Sequence, residues 1–414
     1  MLSSSQLELM SPAGNFECLT AAIQGGANAV YFGVGKLNMR ARSANNFQLS
    51  DLHKIANICK QEGLRSYLTV NTVLYDEELS EMQQIIDVAQ KAGISAIIAS
   101  DMAAIQYART CGIEVHLSTQ VNITNIEALR FYANFADVVV LSRELTLEQT
   151  AVIHEAIQEQ QIKGPNGKHV QIEMFCHGAL CMAVSGKCYL SLHEYNASAN
   201  RGSCYQLCRR GYTVTDNDSG RQLVINNEYI MSPKDLCTIA FLDKMVEAGI
   251  RVFKIEGRAR SAEYVKTVTN AYHRALQAIV EGSYNSELAT TLTAELQTVF
   301  NRGFWDGYYQ GARLGKWSEV YGNKATRRKI YIAKAMNYFS NLGVAEFYVE
   351  TSSLKKGDEA LIIGPTTGVM PVVIDDMRVD LQAVDKVEKG TYFSIAVPEK
   401  VRRADKLYKL ESVK

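Results

Sequence analysis

Apolar runs of strand length alternate with amphipathic runs of helical length through the first two thirds of the chain, and this alternation narrows the fold more than any other feature. Candidate strands lie at 7–12, 29–34, 66–71, 95–100, 114–119, 137–142, 170–176 and 251–256. Between the first seven lie helical patterns at 15–25, 50–63, 77–92, 101–111, 124–134 and 145–161. Gly25-Gly26, Gly63, Gly93, Gly112 and Gly249 each precede a strand, where a helix C-cap belongs. Eight strands with intervening helices predict an α/β protein built as a (β/α)8 barrel; an open doubly wound sheet shares the alternation. Gly33-x-Gly35 follows a strand but lacks the third glycine and the helix start of a dinucleotide fingerprint, and there is no phosphate P-loop.

The regular spacing breaks once. Residues 177–250 separate the seventh strand from the eighth and leave from the end of the barrel where such folds build active sites. After the eighth strand, 261–282 and 286–302 read as helices. The barrel is therefore expected over 1–302, with a Gly- and aromatic-rich linker or cap at 303–327. From 328 to 414 only β-type runs remain (329–335, 345–350, 359–363, 372–374, 381–384 and 391–396), which predicts a small β-barrel or sandwich. A chain of 414 residues suits a large barrel with a small partner domain.

The formal net charge is zero, so polyanion binding must come from local patches. Candidates are Arg201, Arg209 and Arg210 with Tyr189, Tyr195 and Tyr205 among them; Lys324, Arg327, Arg328 and Lys329; and Arg402, Arg403, Lys406 and Lys409. Each also reads as a solvated face. The longest apolar runs fall far short of the roughly 20 residues of a membrane span. The start, Met1-Leu2-Ser3-Ser4-Ser5-Gln6, is not a signal peptide, so a cytoplasmic location and no membrane partner are the default expectations.

Six of the nine cysteines fall between 176 and 237. In a reducing compartment clustered thiols bind metal or do redox chemistry. Cys181-x6-Cys188 and Cys204-x3-Cys208 flank a loop-like segment rich in Gly, Ser and Asn. Structural zinc favours paired C-x2-C knuckles, whereas uneven spacing suits an iron–sulfur cubane. Cluster, zinc and free thiols all stay open on spacing alone. Cys237, in Ser232-Pro233-Lys234-Asp235-Leu236-Cys237, is a rival fourth ligand or a thiol packed on the apolar face of a helix starting at Ser232. Cys176 reads as a thiol lining the barrel, and Cys18, Cys59 and Cys111 as helix-core residues.

Residues 173–191, Glu-Met-Phe-Cys-His-Gly-Ala-Leu-Cys-Met-Ala-Val-Ser-Gly-Lys-Cys-Tyr-Leu-Ser, resemble the signature of the collagenase-like peptidase family U32. Further matching blocks are Asn200-Arg201-Gly202-Ser203-Cys204 with Cys208-Arg209, Ser232 to Leu236, Lys254-Ile255-Glu256-Gly257-Arg258, Glu8 to Gly14 and Ala29 to Gly33. The resemblance implies an iron–sulfur protein, expected as [4Fe-4S] on Cys181, Cys188, Cys204 and Cys208. It further implies oxygen placed on a substrate without dioxygen. The branch most alike hydroxylates the wobble uridine of tRNA at position 5 and depends on prephenate; others act on ribosomal RNA or quinone precursors. A collagenase-like protease and a non-catalytic cluster-bearing scaffold are the competing readings.

For the site itself, strand ends offer Lys254, Glu256, Glu173 and His177 as candidate catalytic groups, and Arg143, Arg258, Asn71, Gln120 and Arg42 as candidate substrate ligands. Ser118, Ser142, Glu144 and Arg40 lie nearby. Prephenate carries two carboxylates, which Arg143 and Arg258 could grip bidentately. Lys254, Glu256 and Arg258 equally suit a structural ion-pair network closing the barrel, and His177 a hydrogen-bonded structural histidine. Cys176 and His177 are neighbours on a strand, which predicts opposite faces and no nucleophile–base pair.

Overall fold

The computed structural model describes residues 6–222, 229–312, 315–320 and 322–413. The first five residues of the N-terminal stretch considered above for a leader lie outside this set. Eight parallel strands close a barrel: β1 (Glu8–Pro12), β2 (Ala29–Gly33), β3 (Arg65–Val70), β4 (Ala96–Ala99), β5 (Glu114–Leu117), β6 (Val138–Val140), β7 (Gln171–Gly178) and, after the insertion, β9 (Ile250–Ile255). Each neighbour pair is in parallel register, and β9 bonds to both β7 and β1, so the sheet has no free edge and is not open. Helices α1 (Phe16–Gln24), α2 (Leu52–Gln61), α3 (Leu79–Ala92), α4 (Met102–Thr110), α5 (Ile126–Tyr132) and α6 (Leu147–Glu159) occupy the predicted gaps.

Local chemistry sets these boundaries. The Asn15 side chain accepts from the Cys18 amide to start α1, and Asp101 does the same for α4 through Ala103. Thr146 and Gln149 form a reciprocal capping box on α6. Gly93 closes α3 in the left-handed conformation at φ +79°. Strands β2, β4 and β6 are buried along their whole length, as expected of a parallel sheet covered by helices.

Apolar side chains divide between two layers. One large cluster fills the space between sheet and helices; a small one, with Met10, Tyr31, Tyr67, Ile98 and Val252, fills part of the lumen. The lumen also holds buried polar groups, His116, Glu173 and Lys254.

Within the insertion, α7 (Leu190–Tyr195) is short, and Asp235–Cys237 forms strand β8, antiparallel to the tail of β7. This corrects the expected helix start at Ser232: Ser232 and Pro233 lead into a strand whose pairing partner is distant in sequence. Helix α8 (Leu242–Glu247) precedes β9; α9 (Ala262–Glu281) and α10 (Ser286–Gln297) follow it. Strand β10 (Phe304–Trp305) then pairs with β8.

The C-terminal part is all β. Its main sheet joins β11 (Arg327–Phe339), β12 (Val344–Val349), β14 (Glu359–Gly364), β15 (Gly368–Val373), β16 (Met377–Val379), β17 (Gln382–Val384), β19 (Tyr392–Ala396) and β20 (Lys406–Ser412); β13 (Leu354–Lys355) pairs with β18 (Lys386–Val387). It has its own core around Phe347 and Phe393. It docks on the barrel's outside, where the Gln24 side chain donates to the Thr367 carbonyl and accepts from the Val369 amide.

Gly14 shows how closely the barrel's first loop meets its last. A Cβ at this position would lie 2.1 Å from the Arg258 carbonyl oxygen. The Gly14→Ala substitution is expected to lower unfolding free energy by about 1–3 kcal/mol in denaturant titration, the scale of overpacking. An unchanged midpoint would mean that the Arg258 loop yields freely.

Candidate active site

Parallel strands place their C-terminal ends on one face, and the polar residues singled out from the sequence converge there. Arg40 after β2, Asn71 after β3, Ser118 and Gln120 after β5, Arg143 after β6, Cys181 after β7, and Lys254, Glu256 and Arg258 on or after β9 line a cavity of about 90 Å3. Among the described lining residues, four cations face one carboxylate, Glu256. Arg40 grips that carboxylate through Nε at 3.1 Å and Nη2 at 2.7 Å. Burial pushes the Glu256 carboxyl up, but Arg40, Arg258 and Arg143 together hold it below the usual carboxylate range. Arg258 donates to the Thr69 hydroxyl at 2.7 Å and to Asn38 Oδ1 at 3.1 Å, and burial pulls it down to about 10. Arg143 donates to the Ser185 hydroxyl at 3.0 Å. Asn71 donates to Ser118 at 3.0 Å and to Gln120 at 3.3 Å. The cationic surplus of this cavity suits a small anion.

A second cavity, of about 340 Å3, adjoins the first and shares Met39, Arg40, Cys181, Gly186 and Glu256 with it. Cys181, Cys188, Cys204 and Cys208 all line it, together with Arg40, Arg209, Arg260 and Arg302. Burial disfavours the Cys181 thiolate, yet Arg143, Arg40 and Arg209 bring its pKa below the usual thiol value. Among the described residues no three His, Cys, Asp or Glu side chains are gathered tightly enough for a single metal ion. Four thiols around a cavity of this volume fit a polynuclear guest better than tetrahedral zinc, whose bonds of about 2.3 Å draw the sulfurs together.

Cys237 does not line this cavity. It is buried on β8, with Sγ 3.9 Å from the Tyr272 hydroxyl, and burial pushes its thiol up to about 11. Cys208 is the one beside the other three. Cys176 is not a lumen residue: it lies in the sheet–helix core, its thiol donating to the Lys254 carbonyl. Cys18 and Cys59 are core residues, and Cys111 is half-buried.

Three candidates stand apart from the pocket: His177, Arg42 and Glu173. The β7–β9 register slips between Phe175 and His177, so simple alternation fails at the end of β7. The His177 ring packs among Tyr264, Tyr272 and Phe304, outside the lumen. Burial, with Arg260 adding to it, pulls its pKa down to about 3, so it is a neutral structural imidazole. Arg42 is held at its amide by the Gly202 carbonyl and lays its guanidinium 3.3 Å over the Tyr205 ring; Arg40 reaches the pocket instead. Glu173 is not at a strand end but deep in the lumen, paired with Lys254 at 2.6 Å. Sequence reading missed His116, although Glu114, His116 and Ser118 alternate along β5 and share the lumen face.

The basic patches are largely spent on internal contacts. Arg201 forks onto Glu78 at 2.7 and 2.9 Å, and Arg209 donates to Ser232 and the Pro233 carbonyl. Lys324, Arg327, Arg328 and Lys329 pair with Glu319, Glu359, Glu411 and Glu263. Lys406 and Lys409 belong to β20, where Lys409 meets Asp358. No helix is long and apolar enough to cross a membrane among the described residues.

Residues 14–319 match the model of peptidase family U32. A protein named collagenase from Porphyromonas gingivalis is 60% identical over 99% of this chain and 99% of its own. A 23S rRNA 5-hydroxycytidine C2501 synthase from Escherichia coli is 36% identical over 76% of this chain and 47% of its own. The tRNA hydroxylation protein P1 of Bacillus subtilis is 31% identical over 86% and 83%. With its barrel, its cysteine-bearing loop and three quarters of its length so matched, the chain belongs to peptidase family U32.

Proposed function

We propose that the chain is an RNA-modifying enzyme: a prephenate-dependent tRNA hydroxylase that acts at the wobble uridine and holds an iron–sulfur cluster on Cys181, Cys188, Cys204 and Cys208. The observation that carries this reading is the junction of two cavities, one ringed by four thiols and one by four cations. The bound cluster would supply Lewis-acid or electron-transfer chemistry at the barrel mouth. In this reading Arg143 and Arg258 bind the carboxylates of prephenate, Asn71 and Gln120 orient it, and Lys254 holds or gives a proton at its Nζ. Arg40 keeps Glu256 ionised beside the thiols.

The name of the Porphyromonas relative favours a second reading, collagenase-like proteolysis. Against it, Ser118 and Ser185, the serines of the pocket, meet Asn71, Gln120 and Arg143 rather than an imidazole base. The relatives named for RNA hydroxylation support the first reading.

These assignments are tested by cluster reconstitution and by tRNA hydroxylation and its kinetics. Anaerobic reconstitution with iron and sulfide is expected to give a broad visible absorption band in wild type and Cys237→Ser, and none in Cys204→Ser or Cys208→Ser. A band lost only in Cys237→Ser would reassign the fourth ligand. In a bacterial host lacking its own wobble-uridine hydroxylation, the wild-type gene is expected to restore 5-hydroxyuridine in tRNA. The Arg143→Ala variant should lower kcat/KM for prephenate by about 10- to 100-fold, the scale of a lost charge-assisted bond. Unmodified tRNA, together with cleavage of denatured collagen that one point variant abolishes, would favour the peptidase.

A further inference from the structure

Below the pocket, a line of ionisable groups runs down the barrel lumen. Lys254 Nζ lies 2.6 Å from Glu173 Oε1. The other oxygen of that carboxylate, Oε2, faces His116 Nδ1 at 3.7 Å, and both atoms are buried without a hydrogen-bond partner. His116 Nε2 lies 2.9 Å from Glu114 Oε1. Glu114 continues to Arg65 at 2.7 Å, and Arg65 is 40% exposed at the opposite end of the barrel. Around His116, β5 presents Glu114, β7 presents Glu173, β3 presents Arg65 and the Tyr67 ring at 4.5 Å, β1 presents Glu8, and β9 presents Lys254 beyond Glu173.

The histidine therefore sits between two carboxylates. A neutral imidazole has one N–H and would turn a lone pair on one of them, whereas an imidazolium serves both. Burial pulls His116 down, but Glu114 and Glu173 raise it above its ordinary value, in agreement with the geometry. A Lys254 that gives its proton to a ligand breaks an N–H bond, keeps the electron pair on Nζ and becomes a neutral amine. With a neutral histidine, that step would strand the Glu173 carboxylate, fully buried and uncompensated.

We infer that His116 is a positioning residue that stays positively charged in the lumen and, through Glu173, supplies the compensating charge that allows Lys254 to part with a proton in the pocket above. The inference rests on the proposed function only in taking that pocket as the reaction site; the charge on His116 is a property of the free protein.

The test is a titration of the full-length protein carrying 15N-histidine, from about pH 5.5 to about pH 9, with imidazole nitrogens followed by NMR. The His116 signal is assigned by its loss in His116→Gln, or by contacts to the Tyr67 ring if that variant does not fold. Wild-type His116 is expected to be doubly protonated at neutral pH. In Lys254→Met its midpoint should rise by about one unit, a tenfold tighter hold on the proton, and in Glu173→Gln it should fall by a similar amount. The contribution of His116 to the stability of Lys254→Met should be fully present below its unfolded midpoint and be lost as pH rises through the raised folded midpoint. A neutral His116 at neutral pH in wild type overturns the inference, and so does a midpoint indifferent to Lys254→Met. Failure of tRNA hydroxylation would leave these readings intact and count only against the proposed function.

Discussion

Everything at the mouth of this protein depends on how the last barrel strand closes the sheet. Strand β9 bonds to β1 on one side and β7 on the other, and by alternation it sends Lys254 and Glu256 inward. Arg258 follows on the same line. Closure thus delivers a cation, a carboxylate and a second cation to the spot where β7 releases the cysteine loop. Without it, Lys254 could not reach Glu173 and Arg40 would have no Glu256 to grip. The cost of burying these charges is offset by pairing Lys254 with Glu173 and Glu256 with Arg40, and by the hydrogen bonds of Arg258 to Asn38 and Thr69.

Much of this was legible in the chain. All eight barrel strands fall within two residues of where apolar runs and Gly caps put them. Local periodicity suffices because each βα unit is built from neighbouring residues. The failures share a cause, which is pairing between segments remote in sequence. Strand β8 forms because the tail of β7 and β10 offer it edges, and Ser232-Pro233 mimics a helix start. Strands β16 and β20 escaped notice because short or Lys-rich runs look like loops until a partner is beside them. The four cysteines were recognisable by type and spacing, but that Cys208 and not Cys237 shares their cavity follows only from the folded loop. Arg40 and Arg42 are indistinguishable in sequence, and the hydrogen bond that the Arg42 amide donates to the Gly202 carbonyl separates their fates.

The electrostatics of the site also differ from a simple basic surface. The charge that matters is enclosed: Arg40, Arg143 and Arg258 hold their positions through Glu256, Ser185, Asn38 and Thr69, so the cavity is organised before any ligand enters. In the basic patches outside it, by contrast, Arg201, Lys324, Arg327, Arg328, Lys329 and Lys409 are matched with acids. Selectivity for an anion is therefore local to the barrel mouth and owes little to the overall field.

The cysteine loop is fastened to the barrel at several points. Gly202 accepts from the Arg42 amide, Asn200 accepts from the Val73 amide, and Arg201 locks onto Glu78. A Cβ at Gly202 would lie 2.4 Å from the Asn38 carbonyl oxygen, so the loop lies flush on its support. The sulfur-lined chamber is thereby tied to the loops that follow β2 and β3, so a change in either of those loops reaches the thiols through backbone contacts rather than through solvent.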